Sequence, residues 1–296
     1  MTNIINTEWH SDDYGLFPAQ SQRILNCAEN GILNAVSVFP NSPELENCMK
    51  MLSSTSAHIE ITVHLNLIEG KSLTPHSITP LLTDGRGVFS VTFGKLLAAS
   101  FSTKRNVWKA QIKAELRAQI NAVKTYLSDS PLKLDSHAHY HMIPVVFDAL
   151  MEIIIEDKLN VEYIRIPKEY ISLYFQYIFR LKGLEPINLV KVIILNVLAA
   201  RNLRVYSGEL KNVKKSLFMG VFLSGNMLPQ NIEILYPAAL RLAEKQNCPL
   251  EILAHPGGVY EDSDVPKITF ENDVEFMTSD NRKKEAEMFI HMKEFV

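Results

Sequence analysis

The sequence predicts an α/β protein in which about seven parallel strands form a distorted, incomplete TIM-like (β/α) barrel, with residues 1–296 in a single domain. Segments with strand and helix periodicity alternate about seven times, which is typical of parallel sheets. Histidines and paired acids lie at the carboxyl ends of four predicted strands, and a barrel brings all those ends to one face.

Composition limits the partners and the compartment. An apolar fraction of 47% with 21% charged residues allows a large core. A net charge of −3 and a pI near 6.3 give no basic face for nucleic acid. Cys27, Cys48 and Cys248 are odd in number and far apart, which indicates free thiols in a reducing compartment.

The N-terminus has neither the basic start nor the apolar core of a signal peptide. The most apolar run, 192–200, is shorter than the about 20 residues that cross a bilayer. We therefore expect a cytoplasmic protein without a membrane span.

The first part of the chain alternates strand and helix patterns. A β-branched segment at 3–9 runs into acidic residues, and a helix is expected at 18–30. Strands follow at 35–39 and 58–67, with a helix between them that starts near Ser42.

Residues 69–100 carry glycine and proline without a sustained period, so a long functional loop is expected there. Apolar residues at three- and four-residue spacing predict a helix at 107–127. An extended segment around 134–141 leads into a helix that begins at Pro144, and 161–167 is another strand.

The segment 168–212 is expected to insert two helices between barrel strands. Its aromatic residues are either core side chains or part of a lid or partner surface. The remaining elements are two strands, predicted at 216–223 and 250–254, and two helices, predicted at 230–245 and 279–295.

Three of the nine histidines, His137, His139 and His141, occupy alternate positions in one segment. On a strand their imidazoles share one face, and a divalent metal ion is the simplest partner for such a face. The alternative is that they are ordinary polar residues at a strand end.

Polar residues follow three other predicted strands as well: Asp12 and Asp13, His64, and His255. A doubly wound sheet would gather these ends along an open edge, whereas a barrel brings them to one point.

One carboxylate and two imidazoles hold a divalent ion and leave a position for water, which the ion activates for attack on a carbonyl. If the backbone is extended, the adjacent acids point to different faces, so one could bind metal while the other takes a proton. His255, arriving from the opposite side of the barrel, could protonate a leaving amine.

The pattern resembles the YdjC-like carbohydrate deacetylases, a family that includes chitooligosaccharide deacetylase. The matching segments are Ser11-Asp12-Asp13-Tyr14-Gly15, Val63-His64-Leu65-Asn66-Leu67, Asp135-Ser136-His137-Ala138-His139-Tyr140-His141, and Ala254-His255-Pro256-Gly257-Gly258. The resemblance implies a distorted β/α barrel that removes the acetyl group from an N-acetylated amino sugar through a metal-activated water.

The resemblance also implies roles for single residues. Arg165 would anchor substrate, with a surface salt bridge as the alternative. For His139 and His141 we expect a role in supporting the metal site or contacting substrate, because a catalytic metal must keep an open position. Nitrogen ligands favour zinc, whereas the resemblance suggests magnesium. The remaining roles are metal ligation by Asp13, His64 and His137, general base for Asp12 and general acid for His255.

Two features depart from the family pattern. The usual Asn-Ala-Asp-Asp-Phe-Gly opening is His10-Ser11-Asp12-Asp13-Tyr14-Gly15 here, which adds an imidazole near the expected metal. The segment 168–212 does not align with the family pattern. Both features leave the identity of the sugar open, not the class of reaction.

Other functions remain compatible with the sequence. A metal-dependent amidase or phosphoesterase would use the same ligands on a different electrophile. A sugar-binding protein without turnover would not require both Asp12 and His255. A homodimer is expected only because symmetric dimers are common.

Overall fold

A computed structural model describes residues 6–128, 130–259 and 274–296, so predicted strand residues 3–5 lie outside the described part. Within it, one sheet holds seven parallel strands in the order β5-β4-β3-β2-β1-β7-β6. The strands are β1 (Thr7–Tyr14), β2 (Ala35–Val38), β3 (Glu60–Leu65), β4 (Leu132–Ser136), β5 (Val161–Ile164), β6 (Leu217–Met219) and β7 (Leu250–Ala254).

The sheet curves until its two edge regions meet. On β5, the carbonyl of Glu162 accepts a hydrogen bond at 2.8 Å from the amide of Lys214, which lies just before β6. Tyr163, also on β5, forms a parallel bridge with Lys214. Lys133 on β4 reaches across the interior to Glu8 on β1 at 3.0 Å, although three strand-to-strand steps separate them in the sheet. The predicted incomplete barrel is therefore confirmed.

Helices surround the sheet, and four of them begin at a proline. Proline has no amide hydrogen, and this costs nothing in the first helical turn, where amide hydrogens have no partner within the helix. The helices are α1 (Pro18–Glu29), α2 (Leu45–Ser54), α3 (Phe93–Ala99), α4 (Arg105–Lys124), α5 (Pro144–Glu156), α6 (Ile171–Phe175), α7 (Pro186–Val205), α8 (Pro229–Gln246), α9 (Val274–Thr278) and α10 (Asn281–Phe295).

The main core lies between sheet and helices, where strand residues such as Val36, Val63 and Ile252 pack against helix residues such as Ile24 and Ile120. The middle of the barrel is different because it holds charged groups. Burying charges is costly unless they are paired, and here they form a connected network. Its members are Glu8, His10, Lys133, Asp135, Tyr163, Arg165 and Glu251.

The structure corrects the predicted histidine strand. β4 ends at Ser136, and a short 3-10 helix follows at His137–Met142, in which Ala138 and His139 have left-handed φ angles of 48° and 58°. The prediction that three imidazoles share one strand face is therefore wrong. The prediction of a loop throughout 69–100 is wrong at its end, because this segment contains α3.

Two helices, α6 and α7, lie between β5 and β6, where the sequence predicts an insertion. Helix α7 has 20 residues, more than the apolar run 192–200 indicates, and it is long and apolar enough to cross a membrane by length and composition alone. Its inner side, with Val192, Leu195 and Leu198, packs into the main apolar core between sheet and helices.

Candidate active site

The end of β1 positions two adjacent acids. The backbone is not extended there: Asp13 has a φ of 65°, and the pairing of β1 with β2 shifts between Ser11 and Tyr14. A left-handed φ costs a residue with a side chain about 1–2 kcal/mol, and Asp tolerates it better than most. This irregularity lets both Asp12 and Asp13 line the same cleft while both remain almost fully buried.

Asp13 lies between two imidazoles. Its Oδ1 atom is 3.0 Å from Nδ1 of His137 and 3.3 Å from Nε2 of His64. One ligand atom from each of the three residues lies within 4.8 Å of the others, and all three side chains are buried. The structure thus brings together the three residues that the resemblance implies as metal ligands.

The state of His64 shows that this group suits a cation. Its Nδ1 atom is 2.8 Å from Oδ1 of Asp135, so Nδ1 is the donor, and the buried Nε2 atom, beside Asp13, has no hydrogen-bond partner among the described residues. Burial lowers the pKa of His64, but the Asp135 and Asp12 carboxylates outweigh this and raise it to about 9. Positive charge is therefore favoured at the place where a metal ion would bind.

Arg165 lies behind Asp12 rather than in the cleft. Its Nη1 atom is 2.8 and 3.0 Å from the two carboxylate oxygens of Asp12, and it also contacts Asp135, while Nε is 2.6 Å from Glu251. The side chain is fully buried and does not line the cleft. The alternative of a surface salt bridge is wrong, because the guanidinium pairs with three carboxylates inside the barrel. Its buried Nη2 atom has no hydrogen-bond partner among the described residues, and the role as substrate anchor stays a prediction.

These contacts set the charge of Asp12. Burial raises the pKa of its carboxyl group, but the positive charges of Arg165 and His64 outweigh this, and the pKa lies below its ordinary value. Asp12 is therefore ionised and able to accept a proton.

His255 follows β7, which pairs directly with β1 and lies across β1 from β3 and β4, the strands that lead to His64 and His137. Its backbone is fixed by Glu285, which accepts from the amide at 2.7 Å, and by Arg282, which donates to the carbonyl at 2.9 Å. The Nδ1 atom is buried without a hydrogen-bond partner among the described residues, and burial lowers the pKa of the ring. His255 lines the cleft with both acids.

The cleft has a volume of about 370 Å³, within the range of small-molecule sites. His139 lines it, and burial holds the pKa of this ring well below its ordinary value. His141 instead bonds to Ser136 Oγ and to the Arg165 carbonyl, both at 2.7 Å, so it supports the turn and does not face the cleft.

His10 lies below the cleft, where its ring nitrogens are 2.8 Å from Glu8 and 2.7 Å from Ser37. Two further groups of possible metal ligands include His10, but their acids already pair with Arg165 and with Lys133. The extra imidazole is therefore part of the buried network.

Sequence reasoning gave no role to Asp135 or to Lys191, which lines the cleft from α7. Asp135 lies two residues before His137 at the end of β4, and that spacing was a usable signal. Lys191 comes from the segment that could not be aligned, so no signal was available for it.

Fold and site together define a class: α/β barrel proteins with a carboxylate and imidazole cluster, able to hold a metal ion, at the carboxyl ends of the strands. The chain belongs to the family of YdjC-like proteins, whose model matches residues 9–293. The family indicated by the sequence motifs is thereby confirmed.

Curated relatives in this family are similar to parts of the chain. A carbohydrate deacetylase from Mus musculus is 28% identical over 162 residues, which are 54% of this chain and 49% of the relative. A chitooligosaccharide deacetylase from Yersinia pestis (strain Pestoides F) is 28% identical over 141 residues, which are 47% and 51% of the two chains. The chain thus spans about half the length of the curated relatives that it matches.

A solved structure supports the fold. A protein from Enterococcus faecalis V583, provisionally named a cellobiose-phosphate cleavage protein, aligns with a TM-score of 0.60 and 19% identity over 95% of this chain and 94% of that chain. At this identity the likeness concerns the fold alone.

Proposed function

We propose that the protein is a metal-dependent deacetylase that hydrolyses the acetamide of an N-acetylated amino sugar or oligosaccharide. The observation that carries the proposal is that Asp12, Asp13 and His255 line one cleft, with His64 and His137 grouped around Asp13. The names of the curated relatives support the same reaction.

The cluster of Asp13, His64 and His137 would hold one divalent cation, Mg²⁺ or Zn²⁺. When bound, such an ion supplies Lewis-acid polarisation of the acetamide carbonyl and of water. Two nitrogen donors and one carboxylate favour zinc over magnesium by donor chemistry.

Asp12 and His255 would move the protons. The ionised Asp12 takes a proton from the attacking water, and the Arg165 guanidinium keeps the carboxylate ionised by lowering its pKa. Oxygen adds to the acetyl carbon and the carbon–nitrogen bond breaks. Because burial lowers the pKa of His255, its ring starts neutral, takes up the proton that Asp12 has accepted and gives it to the leaving nitrogen. The products are acetate and a free amino sugar.

The test is acetate release from N-acetylated mono- and oligosaccharides, with the metal content of the protein measured in parallel. We expect parent protein to release acetate, and Asp12→Asn to keep its metal but lose activity by about a hundredfold or more. Asp157→Asn, a change at an exposed acid beyond α5, should match the parent. No acetate from any N-acetylated sugar, or parental activity in Asp12→Asn, would contradict the proposal.

A further inference from the structure

Helix α7 is apolar on both sides, which is unusual for a helix on the surface of a barrel. Its inner side is buried, but its outer side is exposed, and Val197 is 65% exposed to solvent. The exposed apolar residues recur along one outer face of the helix, which we call the outer face of α7: Ile187, Val190, Ile193, Ile194 and Val197. A contiguous apolar surface of this kind marks a contact with a protein or a membrane.

The outer face of α7 reaches the candidate active site. Lys191, Ile194 and Leu195 line the cleft that holds the paired acids and His255. Ile194 belongs to both surfaces because it is exposed and lines the cleft. Whatever covers the outer face therefore lies at the mouth of the cleft.

The charge around α7 indicates what covers it. The segment 179–215 contains eight Lys and Arg residues and two Glu residues, although the whole chain has a net charge of −3. Two of the basic residues, Arg201 and Lys214, are paired with acids. The other six are exposed and form no ion pair with any described residue: Arg180, Lys182, Lys191, Arg204, Lys211 and Lys215.

The outer face of α7 lies on a helix that also carries Lys191 and Arg204, and four more unpaired basic residues stand in the segments before and after it. This combination fits an anionic lipid bilayer. Apolar side chains enter the boundary of the acyl chains, while Lys and Arg contact the headgroups. A second copy of this chain fits less well, because it would bring two positively charged segments together. We propose that the outer face of α7 docks the protein on the surface of an anionic bilayer.

Helix α7 would lie on the bilayer rather than cross it. Asn188 and Asn202 on its inner side bond to the Ser224 and Met142 carbonyls, and these contacts, with the packing of Val192 and Leu195, hold the helix on the barrel. Docking places the mouth of the cleft beside the headgroup layer. If the proposed deacetylase activity is correct, an amino sugar displayed on a lipid is the form of substrate that this arrangement serves.

The docking test is flotation of the full chain with vesicles of phosphatidylcholine, with and without phosphatidylglycerol. We expect binding only to the vesicles with phosphatidylglycerol, and weaker binding as salt rises. The double variant Val190→Glu and Val197→Glu should lower partitioning by at least about tenfold, because two apolar side chains leave the interface. Val107→Glu, at an exposed valine on α4, should bind as the parent does.

Thermal unfolding and sedimentation equilibrium accompany the flotation. Equal unfolding midpoints would show that the variants are folded. Absence of binding to anionic vesicles, equal binding by the double variant, or a parental dimer that the double variant abolishes would overturn the proposal.

Acetate release separates docking from the proposed function. The double variant should keep parental activity on a soluble N-acetylated oligosaccharide and lose activity on N-acetylglucosamine attached to a lipid in anionic vesicles. If the parent binds the vesicles but releases acetate from neither substrate, the proposed function fails while the docking surface stands. If the double variant cleaves the lipid-attached sugar as the parent does, the substrate assignment fails.

Discussion

At the scale of single residues, Asp135 determines how His64 can act. Its Oδ1 atom accepts from Nδ1 of His64, which leaves Nε2 directed toward Asp13. Ser37 donates to the other oxygen of Asp135 at 2.5 Å, and Arg165 neutralises its charge. A carboxylate in this position fixes the tautomer and orientation of a metal-binding imidazole.

Replacing Asp135 therefore tests the ligand role of His64 without removing a ligand. Asp135→Asn should weaken metal binding by about 10- to 100-fold, as is typical for residues that support ligands. Isothermal titration of chelator-treated protein measures this, and urea unfolding checks that the variant is folded. Unchanged affinity in a folded variant would show that His64 does not depend on Asp135.

A second residue-scale prediction concerns Glu8 in the barrel interior. Burial raises the pKa of its carboxyl group, but His10 and Lys133 outweigh this and lower it from 4.5 to about 2. A lowered folded-state pKa stabilises the fold above the unfolded-state value, and this contribution is lost as pH falls from about 4.5 to about 2.

Glu8→Gln should therefore lower the free energy of unfolding by on the order of 2 kcal/mol near neutral pH, and by less at about pH 3.5. Urea unfolding of parent and variant at both pH values measures the two differences. Glu46→Gln, at an exposed acid on α2, serves as the control. A difference that does not shrink at low pH would contradict the charge assigned to Glu8.

At the scale of elements, the turn after β7 holds His255 in the cleft. Gly257 has a φ of 85°, and an added Cβ atom would lie 2.8 Å from the carbonyl oxygen of Gln20 on α1. The turn is therefore pressed against α1 in a conformation that favours glycine.

Gly257→Ala should destabilise the protein by about 1–3 kcal/mol, because it adds both backbone strain and a close contact. Gly85→Ala is the matched control, since an added Cβ there meets no atom within 4 Å. Urea unfolding compares the two variants. Equal stabilities would show that the turn can move away from α1 at little cost.

The spacing of apolar residues and the prolines at helix starts predict most elements correctly, because both are local signals in the sequence. The irregular backbone at Asp13 and the left-handed residues after His137 could not be predicted that way. They depend on distant contacts, such as the hydrogen bond from His137 to Asp13 and that from His141 to the Arg165 carbonyl. These two irregular segments are the ones that build the site.

At the scale of the whole molecule, the curved sheet brings distant segments to one cleft. The convergence of Asp12, Asp13, His64, His137 and His255 could be predicted, because carboxyl ends of parallel strands meet at one face. The position of the Arg165 side chain could not be predicted, because the sequence does not say whether a side chain at the end of β5 enters the barrel interior or the cleft. The apolar run 192–200 gives too short a length for α7, because polar residues interrupt the apolar sequence on either side of that run while the helix continues through them.

The proposed function requires that one divalent cation binds between Asp13, His64 and His137. The most direct measurement is an equilibrium titration of chelator-treated protein with Zn²⁺ and Mg²⁺, comparing the parent with Asp13→Asn and with His139→Asn as the control. We predict one ion bound by the parent and the control, and binding lost in Asp13→Asn. No binding by the parent, or equal binding by all three proteins, would show that these residues do not hold a cation.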